Sequence, residues 1–321
     1  MSLLQVAETD ESPHEVGEEL GWGESYAFQF VDPADGFGLS SRIGVRPNEG
    51  IMDVGLDTYI PDGGLLAARH VQPQQENTAE LSVEGVSYEL VRPLQEWKIT
   101  YDGPAHSLRS SRDAASHDAW HKSRLERLII DLAFEAEAPA VAVEGLPGRF
   151  GQPGRFRGEI WVSGDVYPID VAGLREKSWG IAASRLPWMR RRFWLRFDDG
   201  SAVVIDRRVD EQEDLQSGWW FREGEVQALR EVGLSTDPEP DSYWQKSVTL
   251  QLVDEMGDRG TLSGDMIQLA PLPTVQGSIR VVVCTSVGRF QWGKRSGVGL
   301  VEYLHRLDDA GQPELPLAQW G

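Results

Sequence analysis

The chain has 321 residues, 40% of them apolar, which is enough to build two hydrophobic cores or one large one. Its 31 Lys and Arg against 51 Asp and Glu leave a formal net charge of −20. That charge repels phosphate backbones and anionic lipid surfaces, so nucleic acid and membranes are poor partners. The single cysteine, Cys284, excludes an internal disulfide and fits a reducing compartment.

Read from its start, the chain opens with an acidic cluster (Glu8, Asp10, Glu11, Glu15, Glu18, Glu19), which predicts a disordered, solubilising tail over residues 1–16. This segment lacks the basic start and apolar core of a signal peptide, so the expected location is the cytoplasm. Alternating apolar and polar residues, punctuated by the 34 glycines and 18 prolines, predict short strands throughout. In the first half they fall at 26–31, 42–46, 79–83, 87–91, 97–101 and 128–136. Short helices are expected only at 114–126 and 225–231. His117 and His121 stand at the i, i+4 helical spacing of a metal-binding pair, but neither the Glu of the zinc-protease helix nor a Cys/His cluster accompanies them, so a solvated polar loop and no metal are expected.

The glycine- and proline-rich stretch 145–158 reads as the connection between two β domains, 17–147 and 148–321. It is no phosphate loop, because it leads into a strand instead of a helix. Beyond it, strands are expected at 157–162, 166–170, 193–197, 202–206, 219–222, 248–253, 266–269, 279–285 and 298–304. Asp199-Gly200 is the turn between the third and fourth of these. The longest uncharged stretch, Met266 to Ile279, is broken by Pro271 and Pro273 and is too short for a bilayer of ~30 Å. Tyr26–Phe30 followed by Asp35-Gly36 echoes Phe193–Phe197 followed by Asp199-Gly200, and a Trp-Gly pair precedes each (Trp22-Gly23, Trp179-Gly180). Two related barrels or a chance likeness of aromatic hairpins account for this equally well.

The densest chemistry lies between Gly158 and Asp206. Gly158-Glu159-Ile160, Tyr167-Pro168-Ile169-Asp170, Ser178-Trp179-Gly180 and the strand pair after them, with the C-terminal block from Gln291-Trp292-Gly293 to His305, resemble the two-barrel, lipocalin-like family. That family includes the carotenoid 1,2-hydratases, the AttH-like proteins and fungal cyclases of the Diels–Alderase type. The resemblance implies an all-β fold of two packed lipocalin-like barrels and an apolar pocket for a small hydrophobic substrate. The hydratase pattern of a tryptophan, a histidine, a tyrosine and an aspartate maps its tryptophan onto Trp179 and its aspartate onto Asp206. The histidine position holds Lys177 and the tyrosine position Val204.

Protonating an alkene requires a carboxylic acid kept neutral in a dry pocket beside aromatic faces, and Lys177 near Asp206 would keep that acid ionised. The expected function is therefore cofactor-free cyclisation of a polyene, isoprenoid or polyketide-like substrate by conformational trapping, with Asp206, Trp179 and Lys177 as candidate catalytic residues. Hydration and non-catalytic carriage of a hydrophobic ligand are the alternatives. Twelve tryptophans exceed what a core needs, and rigid rings line apolar ligand pockets; Trp161, Trp194 and Trp292, with Glu159 and Tyr167, are the expected substrate contacts. No nucleophile elbow and no redox-cofactor fingerprint occurs, so no cofactor is expected. The oligomeric state is not legible.

Overall fold

The structure is a computed structural model and describes residues 2–74, 81–144, 148–181, 186–276 and 278–315. A minor pairing of β1 (Leu3–Leu4) ties the N-terminus to β10 (Ala142–Val143). The first large sheet contains β2 (Trp22–Val31), β3 (Gly38–Arg46), β4 (Ile51–Tyr59), β5 (Leu65–Pro73), β6 (Leu81–Val83), β7 (Val86–Arg92), β8 (Glu96–Leu108), β9 (Arg124–Ala136), β11 (Arg149–Val162) and β12 (Asp165–Ile181). Its order is β5-β4-β3-β2-β12-β11-β9-β8-β7-β6, and β5 returns to pair with the far end of β8, Leu65–Ala67 against His106–Leu108. The sheet thus rolls onto itself and leaves the β6–β7 hairpin beside the opening. Period-two alternation places Tyr26 and Phe28 of β2, Trp97 of β8, Phe134 of β9 and Phe156 of β11 in one core.

The second unit is a closed barrel of consecutive antiparallel strands: β13 (Met189–Phe197), β14 (Ala202–Val209), β15 (Asp214–Arg222), β16 (Glu225–Pro238), β17 (Gln245–Asp254), β18 (Arg259–Gln276), β19 (Ile279–Trp292) and β20 (Arg295–Leu307). Gly200, with φ +86°, supplies the left-handed turn expected between β13 and β14. Phe193, Leu195, Trp220, Phe290 and Trp292 fill this barrel. The outward face of β13 carries Trp194, which joins Trp219 and Leu300 in a third apolar cluster with Leu65, Leu108 and Leu174 of the first sheet. The two units are packed through that cluster, as the all-β, two-barrel expectation required.

Three expectations need correcting. The chain does not pass to the second unit at 148: β11 pairs with β9 and β12 with β2, so the first sheet runs to Ile181 and the second begins at Met189. Glycines near Gly154 mislead because they sit inside a long strand, and at Gly154 the Phe134 ring occupies the space that a side chain would fill. Residues 225–231 are strand in β16, while 114–126 contains one short helix, α1 (His117–Lys122). The N-terminal segment is ordered from residue 2, and Glu11 within it is buried. The echoed strands β2 and β13 each open their unit, whereas the Trp-Gly pairs do not correspond: Gly23 of β2 lies opposite Gly180 of β12. No helix among the described residues is long and apolar enough to cross a membrane.

Candidate functional site

Alternation along β12 sends Arg175 and Lys177 into the first barrel, where both are almost fully buried, and sends Glu176 to the opposite face. A buried cation is costly unless it is paired and hydrogen-bonded. The partners come from the N-terminal segment. The Arg175 guanidinium donates to Glu11 Oε1 at 2.8 Å and to Gln152 Oε1 at 2.7 Å. Glu11 Oε2 accepts from the Trp97 indole N–H at 3.1 Å and from the Leu94 amide at 3.0 Å. Lys177 Nζ donates to the carbonyls of Asp10 and Ser12 at 2.7 and 2.6 Å and lies 3.8 Å from Glu24. Glu24 also accepts from the Tyr26 hydroxyl at 2.9 Å and from the His14 amide at 2.6 Å. The His14 ring stacks on Trp179 with centroids 3.9 Å apart. Residues 10–14 are thus a strap fastened across one end of the first barrel.

Burial lowers the Lys177 ammonium to about 8, against the opposing pull of Glu24, Glu11 and Asp10. Burial and the Glu24 carboxylate together push the Tyr26 phenol above its usual range.

Beside the strap lies a cavity of about 640 Å³, the size of a pocket for a drug-sized ligand. Glu11, Ser12 and Pro13 form its strap wall, Tyr26 and Trp97 its barrel wall, and the β6–β7 hairpin contributes Leu81, Ser82 and residues 87–90. Tyr88 is fixed by a 2.5 Å hydrogen bond with Ser41, and burial raises its phenol despite that bond. The rings of Tyr26, Tyr88 and Trp97, only 2–3% exposed, border the pocket by their edges, beside several hydroxyls.

The expected site residues do not converge here. Asp206 lies between the two units, in a buried network with Arg149, Arg190, Arg192 and Glu176. It accepts from Arg190 Nε at 2.9 Å, with further contacts from Arg190 Nη2 and Arg149 Nη1; Glu176 takes Arg192 at 2.5 Å and Arg149 at 3.3 Å. Burial raises the Asp206 carboxyl, but the guanidiniums of Arg190 and Arg149 outweigh it and hold the group far below the carboxylate range. Asp206 is thus an ionised structural residue, kept so by three arginines and not by Lys177, which faces the other way. The void here is only about 20 Å³, and Trp194, beside Glu176 at 3.4 Å, is part of its wall.

Trp179 is adjacent to the strap through His14, outside the cavity wall. Glu159 and Trp161 line a groove of about 480 Å³ on the outer face of the first sheet. Tyr167 stacks on Phe37 at 4.7 Å, and Trp292 on Trp220 at 5.3 Å inside the second barrel. His117 and His121 meet at 3.2 Å between Nε2 atoms on exposed α1, and among the described residues no group of three or more His, Cys, Asp or Glu is placed to hold a metal ion.

Sequence reasoning missed Glu11, Tyr26, Tyr88, Trp97 and Arg175. It also missed a polar end inside the second barrel, where the Arg191 guanidinium sits 4.0 Å over Tyr303 near buried His305 and Cys284. The parity of Arg191 with Phe193 and Leu195 is the signal that could have placed it inward.

Residues 7–307 match the family model described as a domain of unknown function (DUF7064). The chain belongs to this family. No curated protein matches it in sequence. The DUF7064 chain shares its fold with solved structures of low identity. A protein assigned as AttH from Nitrosomonas europaea superposes with a TM-score of 0.60 at 10% identity, over 88% of this chain and 91% of that one. Kievitone hydratase from Nectria haematococca gives 0.60 at 13%, covering 88% and 89%. CghA in complex with Sch210972 gives 0.60 at 8%, covering 90% and 89%. The family resemblance read from the sequence is borne out by these neighbours at the level of the fold.

Proposed function

We propose that this DUF7064 protein is a cofactor-independent cytoplasmic enzyme that binds a hydrophobic polyene, isoprenoid or polyketide-like molecule in the first barrel and promotes its cyclisation by holding a reactive conformer. The observation that carries the proposal is the cavity of about 640 Å³ walled by Tyr26, Tyr88 and Trp97. Rigid rings fixed by their own hydrogen bonds restrict a flexible ligand to few conformers, and ordering the reacting atoms can supply several kcal/mol of a barrier without any acid or base. The half-exposed Ser82 and Ser87 hydroxyls at the wall are available donors for polarising a carbonyl. Lys177, the donor expected from sequence, is spent on the strap carbonyls.

Acid-catalysed hydration through Asp206 loses its basis, because the carboxylate is ionised and lies outside this cavity. The test is native mass spectrometry of the purified protein for a co-purified hydrophobic molecule, followed by turnover of that molecule and its acyclic analogues in D₂O. The expected product is an isomer of the substrate without deuterium at carbon. A product heavier by one water, or deuterium at carbon, overturns the proposal in favour of proton-initiated chemistry, and unchanged ligand makes the protein a carrier.

A further inference from the structure

Behind the cavity's strap wall Lys177 is held by the Ser12 carbonyl, and Arg175, bonded to Glu11, is not free to meet a ligand either. The Arg175 side chain is 2% exposed, lies within 5.1–5.9 Å of the Phe150, Phe134 and Trp97 rings, and has its Nη1 on Glu11. The groups around Glu11 form a built carboxylate receptor: a guanidinium, an indole N–H and a backbone amide, converging from β12, β8 and the turn before β8. Three charge-assisted donors of this kind bind a carboxylate strongly and directionally. Arg175 Nη2 keeps a buried hydrogen with no acceptor among the described residues, so the receptor has more donors than Glu11 uses. The carboxylate filling it belongs to the same chain, 164 residues away in sequence, and the rest of Glu11 forms part of the cavity wall.

We propose that Arg175, the Trp97 indole and the Leu94 amide form a carboxylate-binding site inside the first barrel, that Glu11 of the strap occupies it in cis, and that the adjoining cavity therefore takes uncharged ligands and rejects acids. The inference rests on the reading of this cavity as the ligand site. Among the described wall residues there is no Lys, Arg or His, and of the wall's two carboxylates Glu11 already neutralises Arg175 while Glu89 is exposed. An acid entering here meets no counter-ion and loses its hydration, whereas an alcohol finds the Ser and Tyr hydroxyls. Removing only the charge of Glu11 leaves the receptor with an uncompensated guanidinium next to the cavity, which is the arrangement that attracts a carboxylate.

The test compares all-trans-retinol with all-trans-retinoic acid at neutral pH, using quenching of tryptophan emission in the wild-type protein and in Glu11→Gln. In the wild type the alcohol should bind at least about tenfold more tightly than the acid. In Glu11→Gln that ratio should fall by at least about tenfold, a change of 1.4 kcal/mol, and the acid should gain in absolute affinity. Equal binding of acid and alcohol by the wild type overturns the inference without help from any variant. An unchanged ratio in a folded Glu11→Gln, verified by its melting temperature, overturns it as well. Failure of both probes to bind either protein sinks the cavity reading itself, and the inference with it, whereas equal binding sinks the inference alone.

Discussion

Asp206 shows how a residue in a promising motif is claimed by structure. Three arginines surround a carboxylate that water barely reaches, so removing its charge strands Arg149, Arg190 and Arg192 in a dry interface. Asp206→Asn should destabilise the fold by about 3–5 kcal/mol, the usual cost of breaking a buried pair. Chemical denaturation measures this, and any loss of turnover should track the loss of folded protein. The pH signature follows from the depressed pKa. The stability that Asp206 contributes is complete above its unfolded value and is lost as pH falls through its lower folded value, so the variant should lack part of the wild type's acid sensitivity.

Lys177 gives the opposite sign. Its ammonium falls from 10.5 to about 8 on folding, so the folded chain binds fewer protons than the unfolded chain between those values and stability rises with pH across that window. Relative to Lys177→Met, the wild type should gain about 3 kcal/mol between pH 8 and 10.5. A flat difference would mean that Lys177 keeps an ordinary pKa.

The strap and the β6–β7 hairpin decide where ligand binding is felt. Trp97 forms the cavity wall, whereas Trp179, the candidate read from the sequence, lies under His14 outside it. Trp97→Ala should therefore weaken quenching by polyene or polycyclic ligands more than Trp179→Ala does; the reverse order would move the site out of the first barrel. Most strands were legible because hydrophobic alternation is a local property, though β4, β5 and β16 were not read as strands, and the Asp199-Gly200 turn was legible because glycine there needs a positive φ. The strap was not. The six carboxylates of the surrounding segment, Glu8 to Glu19, carry the composition of a disordered tail, and only the distant cations Arg175 and Lys177 give Glu11 and the Asp10 and Ser12 carbonyls a buried place to bind. The division between the sheets was misread for the same reason, since β11 and β12 look like the start of a second unit until their partners β9 and β2 are known.

The molecule carries two electrostatic tendencies with opposite responses to salt. A net charge of −20 spread over the surface repels itself and is screened by ions, while the arginine network between the units and the Glu11–Arg175 pair are shielded from the solvent. Screening therefore removes more repulsion than attraction, and the melting temperature should rise with sodium chloride in a thermal scan. A fall would assign the stability to exposed ion pairs such as Arg127–Asp102. The apolar cluster shared by the two units should also make calorimetric unfolding a single transition.

The pairing of β2 with β12 has a consequence for the nascent chain. Strand β2, ending at Val31, meets its partner β12 only when residues 173–181 have been synthesised. At roughly 5–20 residues per second the ribosome needs on the order of ten seconds or more for that interval. Throughout it, β2 presents an edge rich in Tyr26, Phe28 and Phe30 with no β12 to cover it, the condition under which strands pair with the wrong neighbour. Arg175 and Lys177 arrive on the same strand, so one stretch of translation both closes the first sheet and delivers the cations that draw the acidic N-terminus into place. Productive folding of the first half should thus commit late, after residue 181 has cleared the exit tunnel, and chains stalled before that point should be the ones that chaperones hold.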